Sequence, residues 1–451
     1  MPVKGALPKS GKANKLGDIM KFRIVLGALV MLALAGAQVQ SAGADAEPYG
    51  FPFEDPFEAT VLGTPRIYQA DLPKRVPKQE LWLDIFPDRK TPELFWYNEK
   101  LNVSVVRQRQ KAPLIFNIAG TGAGHKSQLM QVMERAFYKG GFHVISLPSP
   151  THPNFIVSAS ETQVAGPLMS DSRDLYRAMQ AAYAEVADSI EVSEFYVTGY
   201  SLGGAQAAFV SFIDEEEGVF DFKKVLMINP PVSLYNSVNI LDDMINDIPG
   251  GPENVGQFFE HLMRRFAEVY TRDDFLDFSD DFLFQVYQSG GASEQNLRAL
   301  IGISFRLSAA SILFTSDVLS HSGVVVRRNA SLSSTDHMTD YFKVSVRVSF
   351  VEYIENLVLP FLQRQDPGLT LQDLIDENSL KFLDDYLRTT DKIGLMGNVD
   401  DIILAPGEIE YLDEVFAGRS KLYPIGGHFG NLPYKQNIAD MIAFFKDGWG
   451  Q

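Results

Sequence analysis

Residues 114–119, Leu-Ile-Phe-Asn-Ile-Ala, form a nearly unbroken apolar run that ends at Gly120. A run of this kind predicts a strand covered on both faces of a sheet. Similar runs at 143–147, 195–198 and 224–229 predict further core strands. Between them Leu175, Met179, Ala182, Tyr183 and Val186 recur at helical spacing, which predicts a helix over about 171–188. The small-residue stretch at 205–210 predicts the start of another. Strands alternating with helices imply right-handed crossovers and a mostly parallel sheet. Upstream, short runs at 81–86, 94–97 and 101–106 are separated by proline and charge and predict an opening antiparallel meander.

The pattern changes after Leu234. Helical periodicities such as Phe258, Leu262, Phe266 and Val269 replace the strand signals until about Thr390. Strand runs return at 393–396 and 422–425, followed by a closing helix from about 434 to 445. The expected organisation is therefore a leader over 1–44, an extended arm over 45–80 lying on the domain, an α/β core over 81–233, a helical insertion over 234–390, and the rest of the core over 391–451. No internal repeat or low-complexity tract interrupts it.

The leader carries Lys15, Lys21 and Arg23 ahead of the apolar stretch 24–37, and Ala42-Gly43-Ala44 follows as an A-x-A cleavage signal. The stretch is short of the roughly 20 residues that a membrane-spanning helix needs. A signal peptide is expected, with Met20-Lys21-Phe22-Arg23 resembling its start, and hence export to a periplasmic or secreted location with no stable membrane span after cleavage. The alternative is an uncleaved amphipathic anchor.

Composition narrows the chemistry. A formal net charge of −17 argues against a nucleic-acid surface, which depends on clustered Lys and Arg. The chain has no cysteine, so disulfides, thiolate nucleophiles and Cys-ligated zinc are excluded. Serine, threonine and carboxylate nucleophiles remain. No metal-binding motif is apparent, and the sequence calls for neither a metal nor a cofactor.

Gly199-Tyr200-Ser201-Leu202-Gly203-Gly204 lies between a predicted strand and a predicted helix. A nucleophile on a sharp strand-to-helix turn needs small neighbours, and Gly199 and Gly203 supply them. A serine hydroxyl then needs a base. His428, flanked by glycines in Gly426-Gly427-His428-Phe429-Gly430, follows the last predicted strand and stands apart from the other histidines. The orienting acid is expected from 397–403, just after a predicted strand, as Asp400 or Asp401. These motifs resemble the α/β-hydrolase superfamily, where the acid usually stands as Gly-x-x-Asp; that resemblance implies Asp400 by its spacing from Gly397 and Asp401 by its distance to Pro406, and the two stay open.

These segments, over about 81–233 and 391–451, resemble the α/β-hydrolase superfamily, with the triad in the order Ser, Asp, His. The resemblance implies an α/β-hydrolase fold with the helical insertion acting as a cap. It also implies an oxyanion hole made by the N–H of Leu202 and an N–H in the loop after Ala119, with Thr121 as candidate donor and Gly120 shaping the turn. Many relatives have His-Gly where this chain has Ala119-Gly120, so the second donor stays open. The spacing of Gly120-Thr121-Gly122-Ala123-Gly124 is not that of a P-loop.

The insertion is rich in phenylalanine: Phe258, Phe259, Phe266, Phe275, Phe278, Phe282, Phe284, Phe305 and Phe314. Most are expected to form its own core and some to line a pocket. Because the resemblance implies a cap that covers the nucleophile and selects the substrate, a large apolar cap implies a hydrophobic acyl group such as a lipid ester. The expected activity is carboxylic ester hydrolysis through an acyl-enzyme on a small-molecule or lipid substrate. Its rivals are acyl transfer by the same triad and a non-catalytic binding protein that keeps the fold.

Overall fold

The computed structural model describes residues 49–248, 250, 251, 254, 257 and 293–449. The leader over 1–44 lies outside the described residues, as do Phe258, Phe259, Phe266, Phe275, Phe278, Phe282 and Phe284.

The arm is not simply extended. Asp55 accepts the Phe57 and Glu58 N–H groups, and Pro56 sits at the first helical position, so the chain enters helix α1, Pro56–Leu62. Strand β1, Lys78–Leu83, follows as an edge strand that buries Leu81 and Leu83 and exposes Trp82. The run at 94–97, expected as a strand, is instead a 3-10 turn over Glu93–Asn98 that buries Phe95 and exposes Trp96. Next come β2, Leu101–Val106, β3, Ala112–Ile118, helix α2, Gln128–Gly140, and β4, His143–Leu147. A short helix α3, Pro153–Ser158, and the longer α4, Leu168–Ala184, lead to β5, Val192–Tyr200. Helix α5, Leu202–Glu217, and β6, Lys224–Ile228, complete the first part of the core.

Between β6 and β7, Ile393–Asn398, every described element is helical. The first is α6, Leu234–Asp243, and the longest is α7, Glu294–Ser320. Helix α7 is the one helix among the described residues long and apolar enough to cross a membrane by length and composition. Its Ala309, Ile312 and Leu313 belong to the same buried cluster as Phe116 of β3 and Val197 of β5. The described part of the insertion therefore shares the sheet's core. Phe314 packs edge-on to Phe95, and Phe305 meets Phe350. After β7 come α8, Glu408–Val415, β8, Ser420–Tyr423, and α9, Lys435–Asp447.

The eight strands form one sheet in the order β1-β2-β4-β3-β5-β6-β7-β8. The β1–β2 and β2–β4 pairs are antiparallel and all the others parallel. Residues 114–119 are buried throughout, as a strand covered on both faces requires. Chain direction reverses its walk across the sheet at β3, which has β4 on one side and β5 on the other. In a parallel sheet such a switch point opens a crevice at the carboxyl ends of the strands. The loop after β3 and the turn after β5 both lie there. This strand order, with a serine turn after β5 and a helical excursion after β6, is that of the α/β-hydrolase fold.

Candidate active site

Strand β5 turns into α5 through a single residue, Ser201, held at φ 54° and ψ −127°. A non-glycine residue adopts such a backbone only where its surroundings over-determine it. Here the Ser201 N–H donates to Ile228 O at 2.8 Å. A Cβ on Gly199 would lie 2.3 Å from Gly203 O, and one on Gly203 would lie 2.5 Å from Ile118 O. Two backbones and a helix start thus converge at a distance only glycine permits.

His428 Nε2 stands 2.9 Å from Ser201 Oγ. Its Nδ1 stands 3.0 Å from Asp401 Oδ1 and 3.1 Å from Oδ2. Both His428 and Asp401 are buried. Asp401 also accepts the Asn229 side-chain N–H at 2.7 Å and the Ile403 N–H at 3.2 Å, so the carboxylate is held in place from two further sides of the site. An imidazole fixed at Nδ1 by a buried carboxylate and bonded at Nε2 to a serine hydroxyl is arranged to take that hydroxyl's proton.

Asp400 does not reach the imidazole ring. Its carboxylate accepts the N–H groups of Gly426 at 3.0 Å and Gly427 at 2.9 Å, in the loop that carries His428. Burial pushes the Asp400 carboxyl above the ordinary range, and the neighbouring Asp401 charge adds to that, while the two N–H donors oppose it. The neighbouring aspartates, which sequence leaves as alternatives, thus hold different atoms of one loop.

Gly120 and Thr121 lie beside Ser201 on the wall of a shared cavity. The loop they occupy is fixed by Ala123 N–H donating to Gly120 O at 3.0 Å and Gly122 N–H donating to Thr151 Oγ1 at 2.8 Å. Gly120 is pressed against Tyr200, whose ring a Cβ there would approach to 2.8 Å. Among the described residues, neither the Leu202 N–H nor the Thr121 N–H has an acceptor. Leu202 opens α5, where the helix dipole adds to the pull on a negative oxygen. The cavity, about 210 Å³, has Leu129, Leu241, Ile301, Phe305 and Ile402 among its apolar walls, and Thr60, Ser127, Gln128 and, on α7, Ser304 and Ser308 among its polar ones.

Two residues at the site have no place in the sequence reading. Asn229, at the end of β6 with φ 45°, donates to Asp401; an asparagine at the carboxyl end of a core strand was the available signal. Thr60 of α1 accepts the His428 main-chain N–H at 2.9 Å, and no local pattern marks it.

No protein-family model matches the chain, and no curated protein matches it in sequence. Solved structures similar to it include an esterase from Rhizomucor miehei, at 13% identity over 84% of this chain and 86% of that one, with a TM-score of 0.41. A thermostable esterase from Pseudomonas putida shares 14% identity over 83% of each chain, with a TM-score of 0.40. The thioesterase domain from the curacin biosynthetic pathway shares 12% over 82% of this chain and 99% of that one, with a TM-score of 0.36. The strand order and the turn at Ser201 are those of the α/β-hydrolase fold.

Proposed function

We propose that the protein is a serine hydrolase that cleaves a carboxylic ester with a hydrophobic acyl group. The observation that carries this reading is the unbroken hydrogen-bonded chain from Ser201 through His428 to Asp401, set on a strained turn and facing a largely apolar cavity. In the first step Ser201 Oγ attacks the ester carbonyl as His428 Nε2 takes its proton, forming a tetrahedral oxyanion. The N–H groups of Leu202 and Thr121 are the donors for that oxygen. Collapse expels the alcohol, which receives the proton from His428, and leaves Ser201 acylated. Water then attacks with His428 again as base, and the acid departs. Asp401 keeps the Nδ1 proton in place and stabilises the imidazolium without becoming protonated itself.

Fluorophosphonate labelling followed by peptide mapping tests the reading. Modification of Ser201 in the wild type, lost in Ser201→Ala and in His428→Ala, is the expected result, together with hydrolysis of p-nitrophenyl esters. A folded wild type that neither labels nor hydrolyses would return the protein to the class of binding proteins. The leader over 1–44 supports export as the route to its place of action. Amino-terminal sequencing of protein recovered outside the cytoplasm tests this, with a start near residue 45 expected.

A further inference from the structure

The loop 426–430 that carries His428 is crossed by the amino-terminal segment along much of its length. Thr60 Oγ1 accepts the His428 N–H at 2.9 Å and donates to Pro56 O at 2.6 Å. Thr64 Oγ1 donates to Gly430 O at 2.9 Å, and the Ala70 N–H donates to Pro433 O at 3.0 Å. Gln69 and Tyr434 form a bridge just beyond. The fit is close. A Cβ on Gly427 would lie 2.2 Å from Pro56 O and one on Gly430 would lie 1.9 Å from Ala59 O, so these glycines admit α1 rather than free the loop. The other face of α1 joins a cluster in which Val61 packs with Leu297, Leu300 and Ile301 of α7. Helix α1 therefore sits between the histidine loop and the helix that walls the cavity.

Resting on the reading of His428 as general base, we propose that Thr60 is a positioning residue for His428 and that α1 is a working part of the active site. Asp400 captures the N–H groups of residues 426 and 427 from the side of β7, and Thr60 captures that of residue 428 from the side of α1. Three consecutive N–H groups leading to the imidazole are thus held by side chains of two separate segments, which sets the ring's origin while Asp401 sets its rotation. Thr60 also borders the cavity, so a role in holding substrate is the competing assignment.

Thr60→Val keeps the shape and removes both hydrogen bonds, leaving the buried His428 N–H without an acceptor. Misplacement of a catalytic group by about 1 Å is worth up to about 100-fold in rate. The expected result is a fall of about 10-fold or more in kcat and in the fluorophosphonate labelling rate at Ser201, with KM within about twofold of wild type. Thr60→Ser, which keeps the hydroxyl, should restore both. Thr60→Ala supplies a second hydroxyl-free variant should valine prevent folding. Wild-type kcat and labelling rate in a folded Val or Ala variant would overturn the proposal. A raised KM with unchanged kcat would overturn it in favour of substrate contact. A wild type that labels nowhere would instead bring down the reading of Ser201 itself, so the two failures are distinguishable.

Discussion

Asp400 and Asp401 are adjacent in the chain, and their carboxylates hold the same loop by different atoms: Asp401 takes His428 Nδ1 at 3.0 Å, and Asp400 takes the Gly426 and Gly427 N–H groups at 3.0 and 2.9 Å. This division predicts different penalties for the same chemical change. Asp401→Asn places an amide against Nδ1 and favours the wrong imidazole tautomer, so kcat should fall by about 1,000- to 10,000-fold with little change in KM. Asp400→Asn keeps one acceptor oxygen and loses the other, and a loss of about 10-fold is expected. Steady-state kinetics on a p-nitrophenyl ester measures both. Equal losses would remove the distinction between orienting the ring and holding the loop.

Glycines in the two motifs are not equivalent. A Cβ on Gly203 would lie 2.5 Å from Ile118 O and 2.7 Å from Ala119 O, both backbone atoms that cannot step aside. On Gly397 the nearest atom would be Leu422 Cδ2 at 3.5 Å, an ordinary contact. Gly203→Ala should therefore destabilise by about 3 kcal/mol or more, or prevent folding, while Gly397→Ala should stay within about 1 kcal/mol. Urea unfolding followed by circular dichroism compares them. A Gly203→Ala protein as stable as wild type would show that the turn at Ser201 has room that its geometry denies.

A pH effect on stability is expected at His152. Burial, with a smaller contribution from the nearby His125 charge, pushes its imidazole down to about 4 from the usual 6.5. The local geometry also disfavours a proton: Nδ1 accepts the Asn154 N–H at 3.2 Å as the cap of α3, and a proton there would break the cap and set a cation at a helix amino terminus. Since the unfolded chain binds this proton more readily, stability is complete above about 6.5 and is lost as pH falls toward 4. The full shift corresponds to about 3 kcal/mol, and the residue's partial exposure trims this to about 2. His152→Asn keeps a capping oxygen and removes the titration. Between pH 7.5 and 4.5 the wild type should lose about 2 kcal/mol more than the variant in urea unfolding, and identical losses would sink the idea.

Much of the core can be read from apolar runs because strands covered on both faces leave an unbroken signal, as at 114–119. Residues 94–97 mislead for the complementary reason: Leu94, Phe95, Trp96 and Tyr97 are strand formers by composition, yet only Phe95 is buried, and the segment closes into a 3-10 turn. Asp400 and Asp401 cannot be told apart by spacing, since one residue of difference in a turn decides which carboxylate faces the ring. Thr60 meets His428 across 368 positions of chain, a pairing for which local periodicity has no expression. Composition does not tell which phenylalanines of the insertion line a pocket and which form its core; α7 carries Phe305 to the wall of the cavity beside Ser201.

That wall offers the most direct test of the acyl group. Ser304 and Ser308 lie one helical turn apart on α7 and border the cavity along with Ile301 and Phe305. If the acyl chain extends from Ser201 along this helix, a larger side chain at Ser304 shortens the space without touching Ser201, His428 or Asp401. Ser304→Phe should lower kcat/KM for long acyl esters relative to short ones by about 10-fold or more, because a misfit of a few methylenes is worth 1–3 kcal/mol each. The short-chain rate and labelling by a small fluorophosphonate should persist, showing that the catalytic groups are intact. A p-nitrophenyl ester series from acetate upward reads the ratio directly. An unchanged chain-length profile in a variant that still labels would mean that the acyl group leaves Ser201 in another direction, and that the α7 side of the cavity faces the alcohol portion of the ester.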